Sequence, residues 1–493
     1  MNVYLLAIAA YLLALTVMNF WKSRRVKSQD DMMVAGRSLS VSKMVFTLVC
    51  TWIGSGTFIA GAEFASRAGF SALWQPVGAY LGILVIYFLA AKIRTFGQYT
   101  VGDILEVRFG PVARLVGALA IIVSFTTIVA YQFKAGGLIL NVISDGRIEV
   151  AQGQFLAFLF VVIFTAVGGM IAVANTDLPN GIIIVSSCII ATPLVILAAG
   201  GWSTIKAILP AAHFQVISSQ FGGNPYLKIP ALSLSVFLLL MGVQSMYQKF
   251  YSAKTPKDAK KAVGMWLIGT IVVESVVIVM AVFAASYFWA GLKSGAVDGR
   301  ALVLLAAKKM VPMPVGILLL GAATAVVIST GMNYLLSPST TIMRDVYHRF
   351  FKKGDSHKRD VLLQRLMIIV IGVAAYLMTT QMRSVLESAY FAYTIYGVAI
   401  TPALIAALAS KRVTRAAGLT SIVLGTAITL FLKIAGSVWP QIMRPLGDPN
   451  ADPFGIPIIY PALAVSLLSL VVVSLLTRPP QPETLKKLFP GVK

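Results

Sequence analysis

Residues 49–69 read VCTWIGSGTFIAGAEFASRAG. The stretch is apolar for most of its length, yet it contains a cluster of glycines and two hydroxyl side chains, Ser55 and Thr57. At bilayer depth every backbone N–H and C=O group must be hydrogen-bonded, so such a cluster is tolerated only where it is buried in protein or lines a wet cavity. The stretch is therefore expected inside a helical bundle or beside a wet cavity, and not against lipid.

A broken helix exposes backbone carbonyl oxygens. Carbonyl and hydroxyl oxygens suit a hard, weakly held monovalent cation such as Na⁺, and interrupted helices in corresponding halves of a chain indicate the binding site of a transporter. The alternative is a glycine-lined contact between two intact helices. The stretch alone leaves both interpretations open.

The composition is that of a polytopic helical membrane protein. Of the 493 residues, 58% are hydrophobic and 12% charged, and the mean hydropathy is +0.84, which places the chain in the cell membrane rather than among soluble domains. The net charge of +23 does not predict nucleic acid as a partner, because the basic residues lie between apolar segments, where the positive-inside rule explains them. Cys50 and Cys188 both lie in apolar runs and form no metal-ligand cluster. The three histidines are expected at the surface: His213, His348 and His357.

The expected fold class is all-α, with about thirteen transmembrane helices of roughly 20 residues each. The apolar segments lie at 2–21, 41–66, 71–94, 112–141, 152–170, 179–200, 229–250, 262–290, 314–343, 361–382, 388–409, 416–436 and 457–477. The first is expected to be a retained helix, because no basic stretch precedes it as in a signal peptide.

The basic connections alternate with less basic ones. This pattern predicts the N-terminus outside and the C-terminus inside, although 171–178 lacks Lys and Arg and 291–313 holds four of them. Residues 201–228 are expected to form a small outer cap or a plain loop. Residues 344–360 are expected to be a solvated extension at the inner face, where anionic lipids are a possible partner.

The ninth segment contains a second polar cluster, Ser329-Thr330-Gly331. Two adjacent hydroxyl residues beside a glycine can offer oxygens to an ion. The alternative is that each hydroxyl bonds to the carbonyl four residues earlier in its own helix.

Several motifs in a fixed order resemble those of the sodium:solute symporter family. They are DMMVAGRSL at 31–39, VGGM at 167–170 followed by AVANTD at 172–177, QK at 248–249 followed by AK at 253–254, RDVY at 344–347, and the stretch 402–418. The resemblance covers nearly the whole chain. It implies one transporter domain, 1–493, with the leucine-transporter-like fold: two inverted five-helix repeats (41–200 and 229–410), one extra helix before them and two after.

The resemblance also implies a sodium site between the second and ninth segments. Carried over residue by residue, its ligands are Cys50, Ile53, Val326, Ser329 and Thr330. Asp177 would lie on the route of the ion to the cytoplasm. The chain departs from the family at Lys249, where the family usually has Arg, and at 178–180, where a Gln is usual. Thr270 stands where the sugar carriers of the family have a lysine, which argues against a sugar.

A solute is expected near the bilayer midplane, between the second, fourth, seventh, ninth and eleventh segments. The candidate lining residues are Trp52, Ser55, Thr57, Tyr131, Gln132, Gln244, Tyr393 and Tyr396.

Three ionisable residues lie inside the segments, where charge is costly and usually functional. Glu274 is expected to be a buried carboxyl that pairs with a cation, binds a proton or receives a cationic solute group, or else is held neutral by a hydroxyl. Lys134 either reaches out to water or faces the cavity and binds a carboxylate. Glu63 and Arg67 are spaced to pair with each other.

Together these patterns predict a secondary active transporter that couples Na⁺ to uptake of a small organic solute, with a lean towards an amino acid or carboxylate. No enzymatic activity and no organic cofactor are expected. The alternatives are a proton-coupled carrier that uses Glu274 or Asp177, and an uncoupled channel or sensor with the same fold.

Overall fold

The computed structural model describes residues 2–24, 26, 28–221, 224–351, 357–382, 385–443 and 452–489. Strand pairing in these ranges is limited to one isolated bridge between Leu39 and Ala253. The predicted all-α class is confirmed.

The described residues up to 252 form eleven α-helices. They are α1 (Val3–Ser23), α2 (Gln29–Val34), α3 (Val41–Trp52), α4 (Gly61–Ala68), α5 (Trp74–Phe96), α6 (Val101–Phe109), α7 (Pro111–Ile143), α8 (Val150–Ala198), α9 (Gly201–Ile208), α10 (Pro225–Gly242) and α11 (Gln244–Ser252).

The described residues from 256 onward form eleven more. They are α12 (Pro256–Tyr287), α13 (Trp289–Ser294), α14 (Leu302–Lys309), α15 (Met313–Thr341), α16 (His357–Gln381), α17 (Val385–Ala399), α18 (Thr401–Ala409), α19 (Arg415–Val438), α20 (Pro440–Met443), α21 (Ile459–Leu476) and α22 (Pro482–Lys486).

Eleven helical segments of the described chain are long and apolar enough to cross a membrane. The two longest, Gly56–Phe96 with 41 residues and Val150–Ala198 with 49, have about twice the roughly 20 residues that one crossing needs. The first contains the separate helices α4 and α5. The second is interrupted at Gly169, whose φ of 53° and ψ of −164° are not helical.

The break at Gly169 corrects one boundary of the sequence analysis. Residues 171–178, expected to be a connection, are helical and continue to the end of α8. The aspartate of this stretch lies inside the protein: Asp177 is fully buried and accepts hydrogen bonds from Thr47 and Asn333.

Of the two interpretations left open for residues 49–69, the structure shows the broken helix. Helix α3 ends at Trp52, because Ile53 is extended with ψ of 99°. A π-helical segment, Gly56–Ala60, then leads into α4.

A second break was not predicted. The expected single span 229–250 is divided between α10 and α11 at Val243, whose ψ is 118°. The Tyr396 hydroxyl donates to the carbonyl of Gly242 at 2.7 Å and accepts from the N–H of Gln244 at 3.0 Å. Two of the backbone groups freed by the break are therefore hydrogen-bonded to one side chain.

Helix α15 forms the centre of the bundle. It packs most extensively against α8 and α7, and α3 lies against α8, α12 and α15. Every residue from 319 to 341 is buried. The broken end of α3 is thereby held against the Ser329-Thr330 pair, deep inside protein.

Two expectations about surface residues are wrong. His213 is only 2% exposed, because its ring packs against Trp289 and its Nε2 lies 3.1 Å from the carbonyl oxygen of Ser66. In the stretch expected to be a solvated extension, Asp345 is fully buried and Asp360 is 2% exposed, and Asp345 is paired with Arg114. His348 is partly buried. Residues 352–356 and the side chain of His357 lie outside the described part of the chain.

Candidate ion and solute site

Oxygen atoms converge where the broken end of α3 meets α15. The Thr330 hydroxyl donates to the carbonyl oxygens of Cys50 at 2.9 Å and Ile53 at 3.1 Å. The Ser329 hydroxyl lies 3.3 Å from the same Cys50 oxygen. Val326 is buried one turn before Thr330 on the same helix. Four of the five residues that the family resemblance implied for sodium, Cys50, Ile53, Ser329 and Thr330, therefore bring neutral oxygens together.

Ser329 also bonds within its own helix. Its hydroxyl lies 2.7 Å from the carbonyl of Ala325, four residues earlier. The Ser329 hydroxyl therefore makes both contacts: the bond to its own helix, which was the alternative drawn from the sequence, and the contact with α3. The shorter bond, within the helix, fixes where the hydroxyl points.

Asp177 is connected through the side chain of Asn333 to the helix that carries Ser329 and Thr330. Its Oδ2 accepts from the Thr47 hydroxyl at 2.5 Å and from Nδ2 of Asn333 at 3.0 Å. The same Nδ2 donates to the carbonyl of Ser329 at 2.8 Å, so one amide connects the carboxylate to the ion-site helix. Lys249, which is fully buried, donates from Nζ to Oδ1 of Asn333 at 2.6 Å.

A central cavity adjoins the broken helix. Its volume is about 20 Å³, which is room for about one water molecule. It is lined by Trp52, Gly54, Gly56, Thr57, Gln75, Tyr131, Gln132, Val236, Glu274, Thr330, Tyr334 and Tyr393. Binding of an organic solute would require these walls to move apart.

Glu274 is the charged group of this cavity. Its Oε1 accepts from Nε1 of Trp52 at 3.1 Å and from the Thr57 hydroxyl at 3.2 Å. Its Oε2 is buried and has no hydrogen-bond partner. A carboxylate oxygen left unsatisfied in this way is costly unless a further donor reaches it.

Gln132 supplies the complementary polar group. Its Oε1 accepts from the backbone N–H of Ser55 at 3.2 Å, while its Nε2 is buried without a partner. The hydroxyls of Tyr131 and Tyr393 lie 3.0 Å apart, and the Tyr393 ring is 6.2 Å from that of Trp52. The cavity thus presents an unpaired acceptor, an unpaired donor and aromatic walls.

Four of the predicted solute residues do not line this cavity. Ser55 bonds to Gln132 through its backbone. Lys134 donates to the backbone carbonyl of Met382. Gln244 accepts from the N–H of Val101 at 2.6 Å and, with Tyr396, lies at the second helix break.

Three lining side chains were missed from the sequence: those of Gln75, Val236 and Tyr334. Tyr334 follows Thr330 by four residues and so lies on the same helix face, a signal that was available. Gln75 donates to the carbonyl of Gly56 at 3.3 Å, a contact that depends on the break and has no sequence signature.

A larger cavity of about 690 Å³ lies towards the predicted outer end. Its walls include Arg67, Lys228, Lys433 and Tyr390. Because Tyr390 is one turn before Tyr393 on α17, the outer cavity and the central cavity are neighbours along this helix. The predicted pair of Glu63 and Arg67 forms at 2.5 Å beside the outer cavity.

An ion-pair cluster closes the predicted cytoplasmic end. The Arg114 guanidinium lies 2.5–2.7 Å from the carboxylates of Asp103, Glu106 and Asp345, and Arg349 binds Glu106 at 2.7 Å. Burial raises the pKa of Glu106, but the hydrogen bonds from the two arginines outweigh it and the pKa lies below its ordinary value. The cluster connects α6, α7 and the π-helical segment Ile342–Phe351.

Known proteins resemble this chain over its length. A family model described as "Sodium:solute symporter family" matches residues 32–425. The osmoregulated proline transporter OpuE of Bacillus subtilis (strain 168) is 24% identical over 493 residues, covering 97% of this chain and 95% of the relative. The sodium/proline symporter of Staphylococcus aureus (strain JH9) is 25% identical over 492 residues, covering 96% and 92%.

Solved structures share the fold. A substrate-bound, outward-open Na⁺-coupled sialic acid symporter matches with a TM-score of 0.79 at 17% identity, over 97% of this chain and 98% of that one. A closed, bromovinylhydantoin-bound nucleobase-cation-symport-1 family transporter matches with a TM-score of 0.58 at 13% identity, over 93% and 97%.

Proposed function

The chain belongs to the sodium:solute symporter family, and we propose that the solute it takes is a small zwitterionic amino acid of the kind its proline-transporting relatives carry. It is a multi-pass protein of the cell membrane that carries a small organic solute together with Na⁺. Na⁺ and the solute are its cargo, and the walls of the central cavity decide which solute fits.

Na⁺ is assigned to the oxygens between α3 and α15. The Thr330 hydroxyl already lies 2.9 Å from the carbonyl oxygen of Cys50 and 3.1 Å from that of Ile53. Ser329 would add a second hydroxyl, and Val326 would add a carbonyl. These oxygens are neutral, and a site without formal charge holds a monovalent ion weakly enough for the ion to leave in each cycle.

The observation that carries the proposal is the double position of Thr330. Its hydroxyl bonds to both carbonyls of the ion site, and the residue also lines the central cavity. An ion and a solute that share a residue each hold it in the geometry the other needs. Each ligand then raises the affinity for the other by the same factor, as linkage requires.

The two unpaired polar groups of the cavity suit the two ends of an amino acid. Oε2 of Glu274 would accept from the ammonium, and Nε2 of Gln132, together with the bound Na⁺, would hold the carboxylate. Trp52, Tyr131 and Tyr393 would enclose the apolar part. Lys134, which already donates to a backbone carbonyl, is not needed for the carboxylate in this arrangement.

Access would alternate between the two ends of the bundle. The solute would enter through the outer cavity, whose volume is about 690 Å³, and would leave after the Arg114 cluster opens. Asp177 is joined through Asn333 to the carbonyl of Ser329, a position that supports its assignment to the exit route of the ion.

We further propose that the chain crosses the membrane thirteen times, with the N-terminus outside and the C-terminus inside. The division of two of the eleven apolar segments supports this number. The breaks after Trp52 and at Val243 lie in the first helix of each proposed repeat, 41–200 and 229–410, which supports the inverted symmetry. The basic inner face would contact anionic lipids, and transport would need no organic cofactor and no enzymatic step.

Uptake by the purified protein in liposomes tests the function. We expect an inward Na⁺ gradient to drive saturable uptake of proline or another small amino acid, and we expect no uptake when choline replaces Na⁺. A proton-coupled carrier remains the second candidate, because the buried carboxyls of Asp177 and Glu274 each have one oxygen without a partner. Uptake driven by a pH gradient without Na⁺, and lost in Glu274→Gln, would favour that candidate and contradict the sodium assignment.

A further inference from the structure

A lysine lies fully buried beside the proposed ion site. Lys249 has no exposed surface, and it lies on α11, which packs against α15 and α3. An unpaired ammonium in such a place would be expelled or neutralised, because burying an isolated charge costs several kcal/mol or more. A buried lysine therefore requires a nearby anion.

That anion is Asp177, and one amide bridges the two charges. Asn333 accepts from Nζ of Lys249 at 2.6 Å through Oδ1, and donates to Oδ2 of Asp177 at 3.0 Å through Nδ2. Asn333 is polarised in the same direction by both neighbours, which strengthens each hydrogen bond in a medium of low dielectric constant.

Asp177 also has an oxygen that a second cation could bind. Oδ1 of Asp177 is buried with no hydrogen-bond partner. The Thr47 hydroxyl and the carbonyl of Ser329 are on the same network, and Oδ1 of Asn333 is turned towards Lys249. Without the ammonium, Asp177 would have no counter-charge on this network, and a monovalent cation at its unpaired Oδ1 could supply one.

We propose that the ammonium of Lys249 is a tethered cation that compensates Asp177 and so limits this transporter to one Na⁺ for each solute. With Lys249 in place the buried cluster is neutral before Na⁺ binds, and one Na⁺ brings it to a single positive charge. A second free Na⁺ would add another positive charge at short range, where the repulsion is only weakly screened. The proposal rests on the sodium-coupled symport described above.

The number of Na⁺ ions moved with each solute tests the proposal. It can be obtained from the membrane voltage at which solute flux in liposomes reverses, and from binding of radioactive Na⁺ to the purified protein. The wild type and the conservative variant Lys249→Arg should move one Na⁺. Lys249→Met, which keeps the length of the side chain and removes its charge, should move two and show a steeper dependence of uptake on Na⁺.

The matched control is the double variant Asp177→Asn with Lys249→Met. It has neither charge, so the number of bound Na⁺ should return to one. If Lys249→Met alone fails to fold, recovery of folding in the double variant supports charge compensation, and its failure to recover contradicts it.

Two Na⁺ per solute in the wild type, or one in a folded and active Lys249→Met variant, would overturn the proposal while leaving sodium-coupled symport intact. A complete absence of Na⁺-driven uptake in the wild type would instead overturn the proposed function. The two failures are therefore distinguishable in the same preparation.

Discussion

At the scale of single residues, Thr330 is the point where ion and solute meet. We expect Thr330→Val to raise the Na⁺ concentration for half-maximal uptake about tenfold, because losing one oxygen ligand costs on the order of 1–1.5 kcal/mol. Thr330→Ser keeps the hydroxyl and should stay near the wild type. The Na⁺ dependence of solute uptake measures both, and an unchanged dependence in Thr330→Val would remove the residue from the ion site.

Glu274 should act on the solute and not on the ion. Replacing it with Gln removes the charge that would pair with an ammonium, so the solute concentration for half-maximal uptake should rise about 10–100-fold, as for the loss of a charged hydrogen bond of about 1.5–3 kcal/mol. The Na⁺ dependence at saturating solute should not change.

Glu63→Gln is the control for this change. Glu63 is also a mostly buried carboxyl, but it is paired with Arg67 at 2.5 Å and lies away from the central cavity. The Glu63→Gln variant should therefore bind the solute with an affinity close to that of the wild type. Equal effects of the two variants would mean that Glu274 does not contact the solute.

At the scale of the helical elements, Gly169 divides α8 and should not tolerate a side chain. Its φ is 53°, and an added Cβ would lie 2.4 Å from Sδ and 3.1 Å from Cα of Met32. We expect Gly169→Ala to destabilise the protein by about 1–3 kcal/mol. Thermal unfolding in detergent measures the effect as a lower midpoint temperature.

Gly321→Ala is the matched control within α15. Its added Cβ would meet nothing nearer than 3.8 Å, and alanine favours a helix over glycine by about 0.5–1 kcal/mol. It should unfold at or above the temperature of the wild type. Similar losses in both variants would show that the break at Gly169 carries no special conformational demand.

The two helix breaks show what a sequence can predict. The first break is visible in the local sequence. Gly54 and Gly56 flank Ser55 in an apolar run, and such a cluster is disfavoured in a helix that faces lipid. The second has only Gly242 before it, and what makes it possible is the Tyr396 hydroxyl from another helix. That partner is 154 residues away along the chain, so no local pattern could reveal it.

Dependence on residues far away in the chain also explains which solute residues were predicted correctly and which were not. Trp52 and Thr57 could be assigned because they adjoin the predicted break. Gln244 was assigned on the assumption of a continuous helix, and the unpredicted break turns its side chain to Val101 and Thr341 instead. The depth of Lys134 was left open, and its contact with the carbonyl of Met382 depends on the end of a distant helix.

At the scale of the whole molecule, the Arg114 cluster is expected to stabilise the closed cytoplasmic end. Arg114 is 7% exposed and contacts three carboxylates. Arg114→Met would leave them without their shared cation, which typically costs about 3–5 kcal/mol for a buried pair. We expect a large fall in the temperature of thermal unfolding.

Arg300→Met is the control variant for Arg114→Met. Arg300 pairs with Asp298 at 2.6 Å, but both side chains are more than a third exposed, so the pair is expected to contribute less than about 1 kcal/mol. Its unfolding temperature should hardly change. A similarly small effect in Arg114→Met would mean that the cluster does not hold the closed end together.

The most direct test of the central account is whether Na⁺ and solute raise each other's affinity through Thr330. Equilibrium binding of radioactive Na⁺ and of radioactive proline, each measured with and without the other ligand, gives both coupling factors. We predict equal factors well above unity in the wild type and factors close to unity in Thr330→Val. Proline binding of equal strength in NaCl and choline chloride, or full coupling in Thr330→Val, would contradict the account.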